Sequence, residues 1–197
     1  MKKCGIVKTT TALFLAAVLV AFLCGPAAAA EMQKPQVNLE QFEVPQYDGF
    51  WYYDKSIAPK VGDPDDRGAP LPMSFLFSIK NPNDFPVRLD SLKFTVAFDD
   101  FDLVTVNSQD MIWIPGKKSS NVRVNTLITV RSALLNLMVT GGFKLQAKGW
   151  KPFEALQRWW EGAPSYSIPM EVREGAAVFS DGSAKSDVIP FKFTISQ

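Results

Sequence analysis

Along residues 31–197 apolar and polar positions alternate with a period of two more often than with any other. Leu92, Phe94, Val96 and Phe98 are separated by Lys93, Thr95 and Ala97, the pattern of a strand with one buried face. Val122, Val124, Thr126, Ile128 and Val130 alternate with Arg123, Asn125, Leu127, Thr129 and Arg131 over a longer stretch. Tyr166, Ile168, Met170 and Val172 repeat the pattern, and Phe191, Phe193 and Ile195 close the chain with it. Shorter candidates lie at 37–44, 71–79, 101–106 and 111–114. Clusters of Pro, Gly, Asn and Asp stand between them, among them Gly116-Lys117-Lys118 and Asp181-Gly182-Ser183, as turns require. About eight short strands at this spacing predict a mainly β fold, a sandwich or a barrel, with Val96, Val124 and Ile128 in its core.

Two stretches break the alternation and predict helix. Residues 132–139 are apolar without period two, and Ser132 is a candidate N-cap. Residues 151–161 carry Pro152 in the first turn and stop before Gly162. Phe153, Leu156 and Trp160 fall on one stripe of that second helix. Trp159, about 100° from Trp160, falls at its edge. Both helices lie between two strands and predict a helical insertion over about 132–162 within a single domain. The longest irregular piece, 49–72, opens on Phe50-Trp51-Tyr52-Tyr53 and then runs through four prolines and three glycines counted from Gly49. It predicts a binding loop, or a flap whose aromatics cap the open end of the core.

The first thirty residues follow different rules. Lys2, Lys3 and Lys8 give a positive start, an apolar run occupies 12–24, and small residues fill 27–30. That order predicts a secretory signal peptide cut between Ala30 and Glu31; the run is short of the roughly 20 residues that span a bilayer. Lipidation at Cys24 and retention as an uncleaved anchor are the alternatives, with a bulky Leu23 standing against the first. The expected location is the periplasm, or the membrane through the N-terminus.

Removing residues 1–30 takes away three lysines and no acid, leaving 18 basic residues against 20 acidic ones, a net charge of −2. That offers no electrostatic footprint for nucleic acid. Both cysteines, Cys4 and Cys24, lie in the removed part, so the domain after residue 30 contains no disulfide and must rest on its core. The whole chain lacks histidine. Ser-His-Asp and Cys-His machinery and histidine-ligated zinc are thereby excluded. The expectation is a non-enzymatic protein with no cofactor and no metal.

Ser78-Ile79-Lys80-Asn81-Pro82-Asn83, followed by Phe85-Pro86-Val87 and an alternating strand, resembles the WHy domain, the water-stress and hypersensitive-response domain of group 2 late-embryogenesis-abundant proteins. Physically, Asn81, Pro82 and Asn83 make a strand terminator: Pro82 has no N–H for a ladder and the asparagines close Asx turns. Further residues in the same order carry the resemblance, namely Pro35, Val37 and Leu39 before the motif, Ile114-Pro115-Gly116 after it, Tyr166, and Ile189-Pro190-Phe191 near the end. It covers nearly all of 35–197. It implies an immunoglobulin/fibronectin-III-like β-sandwich of seven to eight strands and a stress-associated, non-catalytic role; joined to the leader at 1–30, the expectation is a protective or binding module of the cell envelope. The chain departs from the family where Asp99-Asp100 occupy a turn that often holds glycine, and where the 151–161 helix is added.

Three constellations bear on chemistry. Asp63-Pro64-Asp65-Asp66-Arg67-Gly68 starts like a calcium loop, but Arg67 and Ser74 stand where oxygen ligands belong. Asp99, Asp100 and Asp102 provide paired carboxylates for a hydrolase, yet their place between two strands reads as turn chemistry. Trp150, Trp159 and Trp160 concentrate in the helical insertion with Lys148, Lys151 and Arg158 beside them. Trp159, Arg158 and Lys151 form the candidate interaction surface, for a protein client or a membrane surface.

Overall fold

The computed structural model describes residues 31–47, 49–50, 69–182 and 185–196. The leader at 1–30, the aromatics Trp51–Tyr53 and the calcium-like stretch at 63–68 lie outside the described residues. The elements below all belong to the compact unit Gln33–Gln197.

Eight strands among the described residues are β1 (Gln36–Glu43), β2 (Pro70–Lys80), β3 (Val87–Phe98), β4 (Phe101–Ser108), β5 (Ile112–Ile114), β6 (Ser119–Thr129), β7 (Met170–Ser180) and β8 (Ser186–Ile195). They form two antiparallel sheets. One sheet has the order β1-β2-β6, the other β4-β3-β7-β8, with β5 paired to the start of β3. The fold is mainly β, as the alternation predicts. Aromatic side chains join the sheets: the Phe75 and Phe77 rings of β2 lie 5.0 and 5.3 Å from Phe94 of β3, and Phe77 lies 5.7 Å from Phe191 of β8. Val96, Val124 and Ile128 are buried in this core.

β3, β7 and β8 run beyond their alternating stretches, to Val87, Ser180 and Ser186 respectively, and three local details differ from the sequence reading. Leu89 and Leu92 are both buried although an odd spacing should send them to opposite faces, because β3 slips register against β7 between Leu89 and Ser91. Tyr166 precedes its strand instead of beginning it. It has φ +56° in a turn where Ser167 N–H reaches back to the Gly162 carbonyl at 3.0 Å, and its hydroxyl donates to the Phe42 carbonyl. Ser132 is not an N-cap. Thr129 is, and Ser132 completes a capping box by accepting from the Thr129 N–H at 3.0 Å.

The helices form the crossover from β6 in one sheet to β7 in the other. They are α1 (Val130–Asn136), a π-helical stretch (Leu137–Gly141), α2 (Gly142–Lys148) and α3 (Pro152–Gly162). Gly149, at φ +66°, ends α2 in the left-handed conformation that glycine adopts without strain. The crossover is tied to the strand ends beneath it. The Asn136 side-chain amide donates to the Asp102 carbonyl at 2.7 Å, the Lys144 ammonium to the Asp100 carbonyl at 2.8 Å, and the Trp160 indole to the Ala69 carbonyl at 3.2 Å.

Candidate functional site

The Asn-Pro-Asn motif folds in upon itself. Asn81 leaves the end of β2 fully buried, and its amide donates to the carbonyls of Phe85 at 2.8 Å and Ile114 at 3.1 Å. Its side-chain oxygen accepts from both the backbone and the side-chain nitrogen of Asn83, at 2.9 Å each. Asn83 in turn grips the backbone of Gln33, accepting from its N–H at 2.7 Å and donating to its carbonyl at 2.9 Å. Two backbone bonds, Asn81 to the Lys118 carbonyl and Lys117 to the Asn83 carbonyl, complete the knot. Gly116 is required there: a Cβ would sit 2.4 Å from the Asp84 carbonyl oxygen. A network in which each amide atom is engaged by the protein clamps three distant segments together. It presents Asn81, Pro82 and Asn83 as an architectural element.

The second cluster lies where the helical crossover meets the β3–β4 hairpin. Asp99 and Asp100 occupy the two turn positions with φ of +47° and +76°, the geometry of a two-residue hairpin that aspartate tolerates. The turn reading of these acids therefore holds, and Asp99 has a further task. Its buried carboxylate accepts from Arg158 Nε at 2.9 Å and from the Trp159 indole at 3.0 Å, anchoring α3 from 59 and 60 residues away. The hydrogen bond that Arg158 donates to the Asp99 carboxylate raises the guanidinium pKa above its ordinary value.

This overturns the expected facing of α3. Trp159 is fully buried, not at an edge, and so is Trp160. The Trp159 ring lies 5.3 Å from Phe101 and 6.5 Å from Phe98 on one side of the helix, while the Trp160 indole is bound to Ala69 on another. The helix is wedged between two walls, so its buried arc covers both adjacent indoles. Of the predicted surface, Arg158 is half-exposed and paired, and Lys151 is exposed, 3.3 Å from Glu154. The three are not brought together as a surface.

Beside Asp99 opens a cleft of about 320 Å³ lined by Asp99, Asp100, Lys148, Pro169, Glu171 and Arg173. Arg173 dominates it, with a nitrogen 2.7 Å from Asp100 and others near Asp102 and Glu171. Its hydrogen bonds hold the carboxyls of Asp100 and Glu171 below their usual range. Lys144 and Lys192 reinforce the effect from either side. A general acid needs a carboxyl raised toward neutrality; these two are shifted the other way. Among the described residues no group of three or more acidic, histidine or cysteine side chains is placed to hold a metal ion.

A third feature escaped the sequence reading. Leu135, Met138, Val139 and Phe143, spread over α1, the π-helical stretch and α2, are exposed. The opposite face of the same helical run carries the buried Ala133, Leu137, Gly141 and Leu145. The exposed residues also recur at spacings of three and four, a signal available in the sequence, but one that a run uniformly apolar conceals. Among the described residues no helix is long and apolar enough to cross a membrane.

A family model described as late embryogenesis abundant protein matches residues 76–192. The chain matches none of the curated proteins compared with it. Among solved structures, similarity extends to a protein described as late embryogenesis abundant, at 10% identity and a TM-score of 0.45, covering 93% of this chain and 82% of that one. A protein from Archaeoglobus fulgidus gives 7% identity and a TM-score of 0.36, covering 84% and 98%. A Bordetella pertussis protein described as ApaA gives 8% and 0.42, covering 83% and 93%. Likenesses at these TM-scores carry no functional weight.

Proposed function

The chain belongs to the late embryogenesis abundant protein family, and from that premise we propose that it is an exported, non-catalytic module of the cell envelope that protects or binds. Family membership supports a stress-related role without catalysis. The WHy-type, group 2 assignment rests on the Asn81-Pro82-Asn83 motif and its neighbours, and with it goes an immunoglobulin/fibronectin-III-like strand arrangement. Export rests on the charge, apolar run and small-residue order of residues 1–30. The domain so exported runs from Glu31.

The observation that carries the non-catalytic reading is the closed charge network of Arg173, Asp100 and Glu171. Asp100 and Glu171, which line the cleft, are both paired with Arg173 and have carboxyls lowered by its hydrogen bonds, the opposite of the shift a general acid needs. The reading assigns the protein no cofactor and no nucleic-acid partner.

A protection assay tests it. A desiccation-labile enzyme dried with increasing amounts of this protein should retain more activity than with an equal mass of serum albumin. Equal retention sinks the protective reading. Hydrolysis of ester, phosphate or glycoside substrates that disappears in Glu171→Gln would establish an active site instead. Intact mass of the envelope form tests export: the chain should begin at Glu31 or within a few residues of it, and an acylated Cys24 or a retained Met1 would overturn the soluble periplasmic form.

A further inference from the structure

The helical crossover has a covered face and a bare one. Val130, Ala133, Leu137, Gly141 and Leu145 pack inward, and a Cβ at Gly141 would lie 3.1 Å from the Phe101 ring, so the run sits tightly on β4. On the other side Val139 is 82% and Phe143 88% exposed, with Leu135 and Met138 above 60%. Isolated apolar residues at a surface are ordinary; four on one helical face form a patch that marks an interaction site.

Charge identifies the occupant. From Val130 to Phe153 the chain carries Arg131, Lys144, Lys148 and Lys151 and no acidic residue. Lys144 lies 3.6 Å from Asp100 and Lys151 3.3 Å from Glu154, yet their side chains remain 47% and 81% exposed. Lys148 lies 5.1 Å from the ring centre of Trp150, which Arg158 also approaches. An apolar helical face, a segment that contributes cations and no acid of its own, and a tryptophan at the margin are the composition of a helix that lies in the plane of an anionic lipid surface. A second copy fits worse. A two-fold contact through this segment would bring the exposed Lys144 and Lys151 toward like charges of the second copy. Four side chains also fall far short of the roughly 20–30 residues a side of a stable interface.

We propose that Leu135, Met138, Val139 and Phe143 dock into the interfacial region of an anionic phospholipid membrane, with Lys144, Lys148 and Lys151 at the headgroup phosphates. The proposal deepens the reading of the chain as a binding module and rests on it. It transfers the candidate interaction surface from α3 to the α1–α2 face, keeping only Lys151.

The experiment is co-sedimentation of the full chain with vesicles of equal phosphatidylglycerol and phosphatidylcholine, and with phosphatidylcholine alone. The parent should bind the anionic vesicles at least about tenfold more tightly, consistent with about fivefold for each lysine that reaches the surface. Val139→Glu with Phe143→Glu should weaken binding at least about tenfold at an unchanged melting temperature. Val139→Gln with Phe143→Gln, which adds no charge, should act in the same direction. Lys148→Gln should weaken binding about fivefold and flatten its salt dependence. Undiminished binding by both double variants would overturn the proposal and place attachment elsewhere, the apolar run at 12–24 included. Failure of the parent to bind would overturn it too. So would a dimer, seen by sedimentation equilibrium without vesicles, that the double variants disperse. Loss of dry-state protection with vesicle binding intact would sink the protective reading and leave this one standing.

Discussion

Asn81 illustrates how a residue can be recognised correctly and still conceal its task. Its neighbourhood reads as a strand terminator, and β2 does end at Lys80. That its amide would be buried against the carbonyl of Ile114, 33 residues on, is not written locally. Asn81→Ala would strand the buried Ile114 carbonyl, the part-buried Phe85 carbonyl and the Asn83 amide, and should cost about 1–3 kcal/mol in urea denaturation, the range expected when a buried polar group loses its partner. Ile128, legible as core from its place in an alternating strand, should cost about 2–5 kcal/mol as Ile128→Ala. A cost within about 0.5 kcal/mol of zero at Asn81 would mean that water replaces the amide and that the clamp contributes little.

The secondary-structure elements separate what periodicity can supply from what it cannot. The residue range of α3 is announced by Pro152 and Gly162, but its buried arc depends on how many walls it meets. A helix lying on one sheet would leave Trp159 at its margin; α3 meets the β3–β4 hairpin on one flank and the Ala69 strand entry on another. Trp159→Ala and Trp160→Ala should therefore both destabilise, each by about 3–5 kcal/mol. Trp159→Phe retains most of the ring but removes the donor to Asp99, and should cost about 1.5–3 kcal/mol. Equal stability of Trp159→Phe and the parent would show that packing alone holds α3. The exposed stripe on α1 and α2 was concealed for a related reason. Residues 132–139 are apolar on nearly every side, so the sequence marks the run as helix without saying which side the sheets will cover.

The molecule as a whole should respond to acid and remain indifferent to chelators. Asp100 and Glu171 have carboxyls lowered chiefly by hydrogen bonds from Arg173. A group whose pKa is lower folded than unfolded stabilises fully above its unfolded value, near pH 4, and that stabilisation disappears as pH falls through the folded value. The urea midpoint should accordingly stay level above about pH 5 and fall below about pH 4. Arg173→Gln should make that fall shallower, because the folded pKa values return toward the unfolded ones; an unchanged profile would assign the acid response to other carboxylates. With both cysteines confined to the first thirty residues and no histidine anywhere, the melting temperature of the chain from Glu31 should be the same with and without EDTA or dithiothreitol. A drop with EDTA would reveal a metal site.

The sequence by itself determined the strands, most of their limits, the turns between them and the ends of α3, because these follow from side-chain parity, proline and glycine sterics and local capping, all of which act within a few residues. It also carried Asn81-Pro82-Asn83 as the terminator of β2, because proline lacks the N–H a ladder needs. The tertiary structure alone decided that Asp99 should be buried against Arg158 and Trp159, that Arg173 should gather Asp100, Asp102 and Glu171, and that one side of the α1–α2 run should face the sheets while Val139 and Phe143 face out. Each of these depends on which surface arrives from 30 to 90 residues away. Hydrophobicity states that a side chain gains from leaving water; only the completed packing supplies, or withholds, the surface that takes it.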